Sequence, residues 1–244
     1  MVNSGNSSQA SLFEFISASG GTETTSGDFK IHTFTGPGTF TVSQISQSTA
    51  DRNKVSYMVI AGGGGGGGCY GGGGGAGGYR EEKGPVDTYC ASPLEGAGDI
   101  AVTATAFPIT VGGGGAAHGN NGNPSVFSTI TSAGGGGGGF GNGPSPDTGL
   151  HGKPGGSGGG SGGRIGSGCT AASVGTGNTP PTTPAQGNPG GAAKTCTSNT
   201  ADAGGGGGGA GAGGGGASNP TGPGGVGGAG VTSEITASPV ARAG

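Results

Sequence analysis

The sequence predicts a mainly β and irregular fold with almost no α-helix: a small β-rich N-terminal part, then a bundle of polyglycine-II-like helices with protruding loops. Three observations carry this expectation. Glycine supplies 71 of 244 residues, whereas the broad apolar set makes up 28%, aromatics 5%, and Trp is absent. The apolar residues that do occur alternate with polar ones in short stretches, the period of strands. The glycines fall in blocks, many of which such stretches enter directly.

The apolar side chains suffice for a hydrophobic core of roughly 60 to 80 residues. Collagen is excluded, because unbroken runs such as 62–68 and 134–139 violate a G-X-Y period and Pro numbers only 15. The net charge of −3, with 9 scattered Lys and Arg, provides nothing to neutralise a row of phosphates, so no nucleic-acid partner is expected. No apolar stretch reaches the length of a membrane span, so no membrane insertion is expected. Met1 to Ala10 is polar and lacks the basic and apolar regions of a secretory leader, which predicts synthesis in the cytoplasm and release by lysis.

Three parts follow along the chain: residues 1–27 as an attachment or assembly segment, 28–61 as the β-rich part, and 62–244 as the glycine-rich bundle. Phe29, Ile31, Phe34, Phe40, Val42 and Ile45 flank Gly36-Pro37-Gly38 and predict a β-hairpin. Val55 to Ile60 predicts a further strand running into the first glycine block. Ile100 to Val111 predicts a strand pair, with Pro108 marking an edge or a bend. Ser125 to Thr131 repeats the strand-then-glycine pattern. Loops are expected at 79–106, 140–154 and 164–203, which hold most of the Tyr, Cys, Pro and charged residues beyond the first quarter.

Ordering a glycine run costs about 1–2 kcal/mol per residue, and side-chain burial cannot supply it. Lateral backbone hydrogen bonds can, at roughly 0.5–1.5 kcal/mol net each. Blocks of 5 to 9 residues, interrupted almost solely by Ala and Ser, look like rods of matched length and not like flexible linkers. Gly64, Gly73, Gly113, Gly136, Gly159, Gly206, Gly214 and Gly227 represent the blocks as bundle-forming positions.

No catalytic constellation stands out, and no enzyme activity, metal or cofactor is expected. With this much glycine, G-x-G-x-x-G arises by chance several times and carries no dinucleotide signal. His32, His118 and His151 lack metal-ligand spacing and read as surface or turn residues. Glu81-Glu82, the only adjacent carboxylate pair, reads as a solvated loop. Cys69 and Cys90 bracket one loop and Cys169 and Cys196 another, making these two pairs candidate disulfides, worth about 3 kcal/mol each in an oxidising exterior. Four reduced thiols are the alternative. Tyr70, Tyr79, Tyr89, Phe140, Asn142, His151 and Asn178 sit at run ends or in the loops and are candidate contact residues, with aromatic capping of the bundle as the plainer role.

The order of the blocks is more specific than their composition. FKIHTFTGPGTFTV at 29–42, YMVIA at 57–61, GGAGGYRE at 74–81, PITVGGGG at 108–115, and SVFS at 125–128 followed by Ile130, Ala133 and Gly134 occur in that sequence. From about residue 28 to 244 the chain resembles the glycine-rich domain of bacteriophage tail fibres and related virion appendages. The resemblance implies a polyglycine-II adhesin of the virion, a tail fibre, tail tip or other fibre component. It would be held to other virion proteins through its N-terminal region and would form homo-oligomers. Its loops would face a bacterial cell-surface glycan or an outer-membrane protein. The insert at 80–106 and the Thr/Pro-rich 176–196 exceed the minimal connections of such proteins and imply elaborated tips. Family chains commonly run into another glycine block, so Gly244 is expected to be a processed or shortened end. A capsid or tail decoration protein without receptor contact is the second reading. An extracellular matrix or ice-surface protein and an assembly-dependent disordered linker are the others.

Overall fold

The computed structural model describes residues 14–141, 149–163, 172–194, 203–218 and 222–244. Its regular elements are strands β1 (Ser17–Ser19), β2 (Thr22–Ser26), β3 (Phe29–Thr33), β4 (Gly38–Gln44), β5 (Lys54–Val55), β6 (Tyr57–Ile60), β7 (Tyr79–Glu82), β8 (Ile100–Ala101), β9 (Ala106–Thr110), β10 (Ser125–Phe127), β11 (Ile130–Ser132), β12 (Val231–Ser233) and β13 (Val240–Arg242). A 3-10 turn spans Ala50–Asn53. One sheet has the order β1-β4-β9-β10-β11; β2-β3, β5-β8, β6-β7 and β12-β13 form two-stranded sheets. All these strand pairings are antiparallel.

This corrects the expected architecture. No helix is assigned to any described glycine run, and the regular structure is antiparallel sheet, so a small β part followed by a bundle of polyglycine-II-like helices is not the fold. Nor is the β structure N-terminal: β4 pairs with β9, drawing one sheet from both sides of residue 61, and β12-β13 lies at the far end of the chain. The reason is in the apolar stretches at the mouths of the glycine blocks. Strands entering and leaving a block pair antiparallel, as β6 does with β7, and bring distant stretches into shared apolar clusters.

Local readings were also redistributed by tertiary pairing. The hairpin expected around Gly36-Pro37-Gly38 does not form, because β4 spends its two edges on β1 and β9. β3 pairs with β2 instead, around a tight turn in which Gly27 has φ +56°. Pro108 lies inside the sheet order yet loses nothing, since the β9-β10 ladder ends at Ile109↔Phe127, one residue short of it. Ser125 to Thr131 is not one strand but the hairpin β10-β11, turned at Ser128 with φ +53°.

The apolar core gathers Phe40, Val42, Tyr57, Val59, Ile100, Val102 and Phe127. Phe127 packs edge-on against Phe40 at 6.1 Å and Tyr57 at 5.9 Å. Such aromatic pairs add about 0.5–1.5 kcal/mol each beyond burial. A second cluster of Tyr79, Ala210 and Val231 ties β7 to the C-terminal hairpin. Both clusters lie at the end of the molecule where the glycine runs begin and return.

From this β end the runs extend as antiparallel pairs bonded through the backbone. Ala61, Gly64 and Gly67 N–H donate to the carbonyls of Gly78, Gly75 and Gly72 (3.2, 2.8 and 2.9 Å), every third residue. The residues between bond elsewhere: Gly62 and Gly65 N–H donate to Asn123 and Asn120, and their carbonyls accept from Gly135 and Gly138. A run is thus bonded on several sides, where a strand in a sheet is bonded on two. Residues 155–163 and 203–210 are buried throughout, so the interior here is backbone. The absent Cβ is required by close approach. On Gly64, Gly136, Gly159, Gly206 and Gly214 an added Cβ would meet a backbone carbonyl oxygen at 1.9–2.2 Å, and on Gly73 the amide nitrogen of Gly207 at 2.7 Å. Gly113 and Gly227 differ, with no atom nearer than 3.9 Å and none within 4 Å respectively.

Candidate functional site: the face opposite the β end

The runs turn at the end remote from the strands, and those turns build a face. Run 62–68 turns through Cys69 and Tyr70, both in the left-handed region at φ +48° and +60°. Gly141 N–H donates to Gly68 C=O at 2.9 Å and Gly163 N–H to Tyr70 C=O at 2.9 Å, which brings three run ends together. The Phe140 ring covers Gly68, where a Cβ would meet it at 2.6 Å. His118, also left-handed at φ +68°, stacks on Phe140 with centroids 5.9 Å apart and planes 27° from parallel.

Beside this stack a cleft of about 400 Å³ is lined by His118, Phe140, His151 and Lys153 with glycine backbone between them. His151 Nδ1 accepts from Ser173 N–H at 2.8 Å, so the neutral ring carries its proton on Nε2. The cleft combines an aromatic surface, imidazole groups, an ammonium and backbone polar groups. That set suits hydrogen bonding to a hydroxylated or anionic ligand with stacking on one side.

The sequence-derived contact residues divide. Tyr70 (49% exposed), Phe140 and His151 stand on this face. Tyr79 does not: it is 1% exposed in β7, and its hydroxyl donates to Glu81 Oε2 at 2.7 Å. Tyr89 is half-buried at the β end, its hydroxyl directed at the carbonyl of Glu82 (3.4 Å). Asn178 is consumed internally, its Oδ1 accepting from Thr182 N–H at 2.9 Å and Gln186 N–H at 3.2 Å. Asn142 lies outside the described residues. The segments 79–106 and 164–203 are tied back at several points where described: Gly96 and Ala97 N–H donate to Glu81 C=O, and Arg80 Nη1 donates to Pro184 C=O at 3.1 Å. Sequence reasoning set His118 aside and did not single out Lys153. Their position at the ends of glycine runs, as with Tyr70, was the available signal.

The β end holds a different polar centre. Glu81, read from sequence as solvated, is fully buried. Burial pushes its carboxyl upward, but hydrogen bonds from Ser233, Ser92 and Tyr79 outweigh this and hold it below the usual value. Burial also pushes the Tyr57 hydroxyl up to about 12, and the Tyr79 and Tyr89 hydroxyls upward. Among the described residues no group of His, Cys, Asp and Glu is placed to hold a metal ion, and no helix is long and apolar enough to cross a membrane.

The Cys69–Cys90 bridge is corrected: both thiols are free and exposed. Cys69 lies at the turn face, whereas at the β end the Cys90 carbonyl accepts from Glu234 N–H, just beyond β12, and Cys90 N–H donates to the Glu234 carboxylate. A seven-residue extended run separates those ends by roughly 20 Å, and a disulfide needs Cα atoms within about 7 Å. Cys169 and Cys196 lie outside the described residues. The double variant Cys69→Ser/Cys90→Ser is therefore expected to melt within about 1 °C of the parent under oxidising conditions, by calorimetry. A fall of several degrees would reinstate the bridge.

No curated protein and no solved structure matches the chain. The sequence profile of the glycine-rich domain matches residues 33–244, from β3 through every described run to the C-terminal hairpin. The chain belongs to the glycine-rich domain family.

Proposed function

We propose that this chain is a structural protein of a bacteriophage particle, a tail fibre, tail tip or other fibre component that displays its turn face for host-surface recognition. The observation that carries the reading is the separation of roles along the runs. The apolar clusters and the C-terminal hairpin gather at one end, and the stacked His118–Phe140 pair with its cleft lies at the other. The β end, with the N-terminal region, joins other virion proteins or further copies of the chain. The cleft meets a cell-envelope glycan or outer-membrane protein, each contact weak and the array of copies providing avidity. No chemical step is assigned.

The test is binding of the purified chain, displayed in many copies on beads, to envelope fragments of candidate host bacteria. His118→Asn with Lys153→Gln keeps a residue tolerant of the left-handed region at position 118 and is expected to reduce capture at least 10-fold without changing the melting temperature. Undiminished capture would remove the cleft from recognition. Absence of capture from every envelope, together with immunolabelling away from the distal end of particles, would favour the decoration protein.

A further inference from the structure

Run 203–210 is bonded on all sides but one. Its partners are 71–78 (Gly73 N–H to Gly205 C=O, 2.9 Å), 155–163 (Gly205 N–H to Ser161 C=O, 2.9 Å), 186–194 (Gly191 N–H to Gly206 C=O, 2.7 Å), 212–217 (Gly206 N–H to Gly215 C=O, 2.9 Å) and 224–230 (Gly228 N–H to Gly207 C=O, 2.9 Å). Run 155–163, by contrast, also has partners 133–141, 149–154 and 172–176, which close it off. The open side of 203–210 is a groove of about 560 Å³ between 71–74 and 224–227, ending at Gly244.

The groove is set out for an extended chain. Every third N–H of the floor belongs to one line, Gly204, Gly207 and Ala210. Ala210 donates to Ala243 C=O at 2.7 Å, while among the described residues Gly204 and Gly207 N–H have no partner. The chain's own residue 243 thus occupies the first of three equivalent positions. On the wall, the Gly71 and Gly74 carbonyls likewise accept no backbone bond among the described residues. They lie against the floor, 2.1 and 1.9 Å from where a Cβ on Gly204 and Gly207 would be. Donors on one surface and acceptors on the adjoining one, at the repeat the other runs use, match a polypeptide backbone better than a compact solute.

We infer that this groove binds an extended glycine-rich segment of a separate polypeptide, laid antiparallel to 203–210, with carbonyls accepting from Gly207 and Gly204 N–H. Side chains are selected against by the closeness of the backbone walls. The proposal is independent of receptor recognition, since the groove and the His118 cleft are lined by different residues.

The test uses the full chain and a Lys-(Gly)7-Lys peptide, with Lys-(Thr)7-Lys as comparison, read by amide hydrogen exchange resolved at Gly204 and Gly207. Since free association of so short a strand is weak, each seven-residue segment is also joined after Gly244, which raises its effective concentration. The glycine segment is expected to slow exchange at both amides at least 10-fold and the threonine segment to leave them unchanged. Gly227→Val, at a position with no atom within 4 Å of an added Cβ, narrows the groove. It is expected to abolish the protection while the melting temperature holds. Equal exchange with both joined segments, or protection that survives Gly227→Val, overturns the proposal. Protection that rises with protein concentration in the absence of peptide overturns it in favour of a second copy as occupant.

Discussion

Replacing Gly159 by Ala is expected to lower the melting temperature by roughly 10 °C. The new Cβ would stand 2.1 Å from the Gly137 carbonyl oxygen and 2.5 Å from its carbon, both backbone atoms in a buried run. Neither can rotate away as a side chain would. Relief requires moving run 133–141, which breaks the hydrogen bond of Lys153 N–H to Gly137, or run 155–163, which breaks those of Gly159 N–H to Lys153 and of Gly175 N–H to Gly159. Overpacking of about 1–3 kcal/mol plus one or two unsatisfied buried groups gives about 3 kcal/mol or more. At about 2–4 °C per kcal/mol for a domain of this size, that is the stated shift. Gly227→Ala is the matched control. Its Cβ meets nothing and its φ is ordinary, so the loss of unfolded-state freedom should make it neutral or stabilising by about 0.4–1 kcal/mol. Thermal melting of both variants checks the contrast; equal effects would mean that the runs do not pack as described.

Glu81→Gln is expected to destabilise by about 2–4 kcal/mol and to remove an acid transition from the protein's stability. The carboxylate accepts from Tyr79 hydroxyl at 2.7 Å and Ser92 N–H at 3.0 Å on one oxygen, and from Ser233 hydroxyl at 2.5 Å on the other. A Gln amide must turn its NH₂ toward one of these donors. Because the folded carboxyl is held below its unfolded value of 4.5, its contribution is complete above that pH and is lost as pH falls through the folded value. The parent should therefore lose stability with acid below about pH 4.5, while the Gln variant, already weakened, loses less over that window. Glu23, also held low by exposed Lys30, adds little because that pair is solvated. Parallel acid slopes in melting temperature for parent and variant would show that Glu81 is not the titrating group.

The apolar alternation located β3, β4, β6 and β9 in part, and the Phe40, Tyr57 and Phe127 side chains that fill the core all lie in stretches read as strands. Partners were not legible. Nothing local says that β4 prefers β1 and β9 to β3, since that choice is made by the shared core. The C-terminal hairpin carried no strong signal at VTS and VAR, and its register depends on Ser233 reaching a carboxylate 152 residues away. Of the turn face, Tyr70, Phe140 and His151 were legible as residues at run ends or in the intervening loops. Tyr79 and Glu81 were misread for a common reason: the sequence shows β7 entering from a glycine block but not the elements that cover it.

The sequence by itself determined that backbone and not side chains would fill much of this interior, because glycine blocks of matched length leave no other means of offsetting the entropy of ordering them. It also places the chain in the glycine-rich domain family. Only the tertiary structure decided which runs are enclosed, where backbone amides stay unpaired among the described residues, and which end carries the free thiol of Cys69 and which that of Cys90. Glycine makes every side of a run available to neighbours, so its sequence specifies no particular partner. That choice falls to the few strands, aromatic contacts and buried hydrogen bonds that hold the run ends in place.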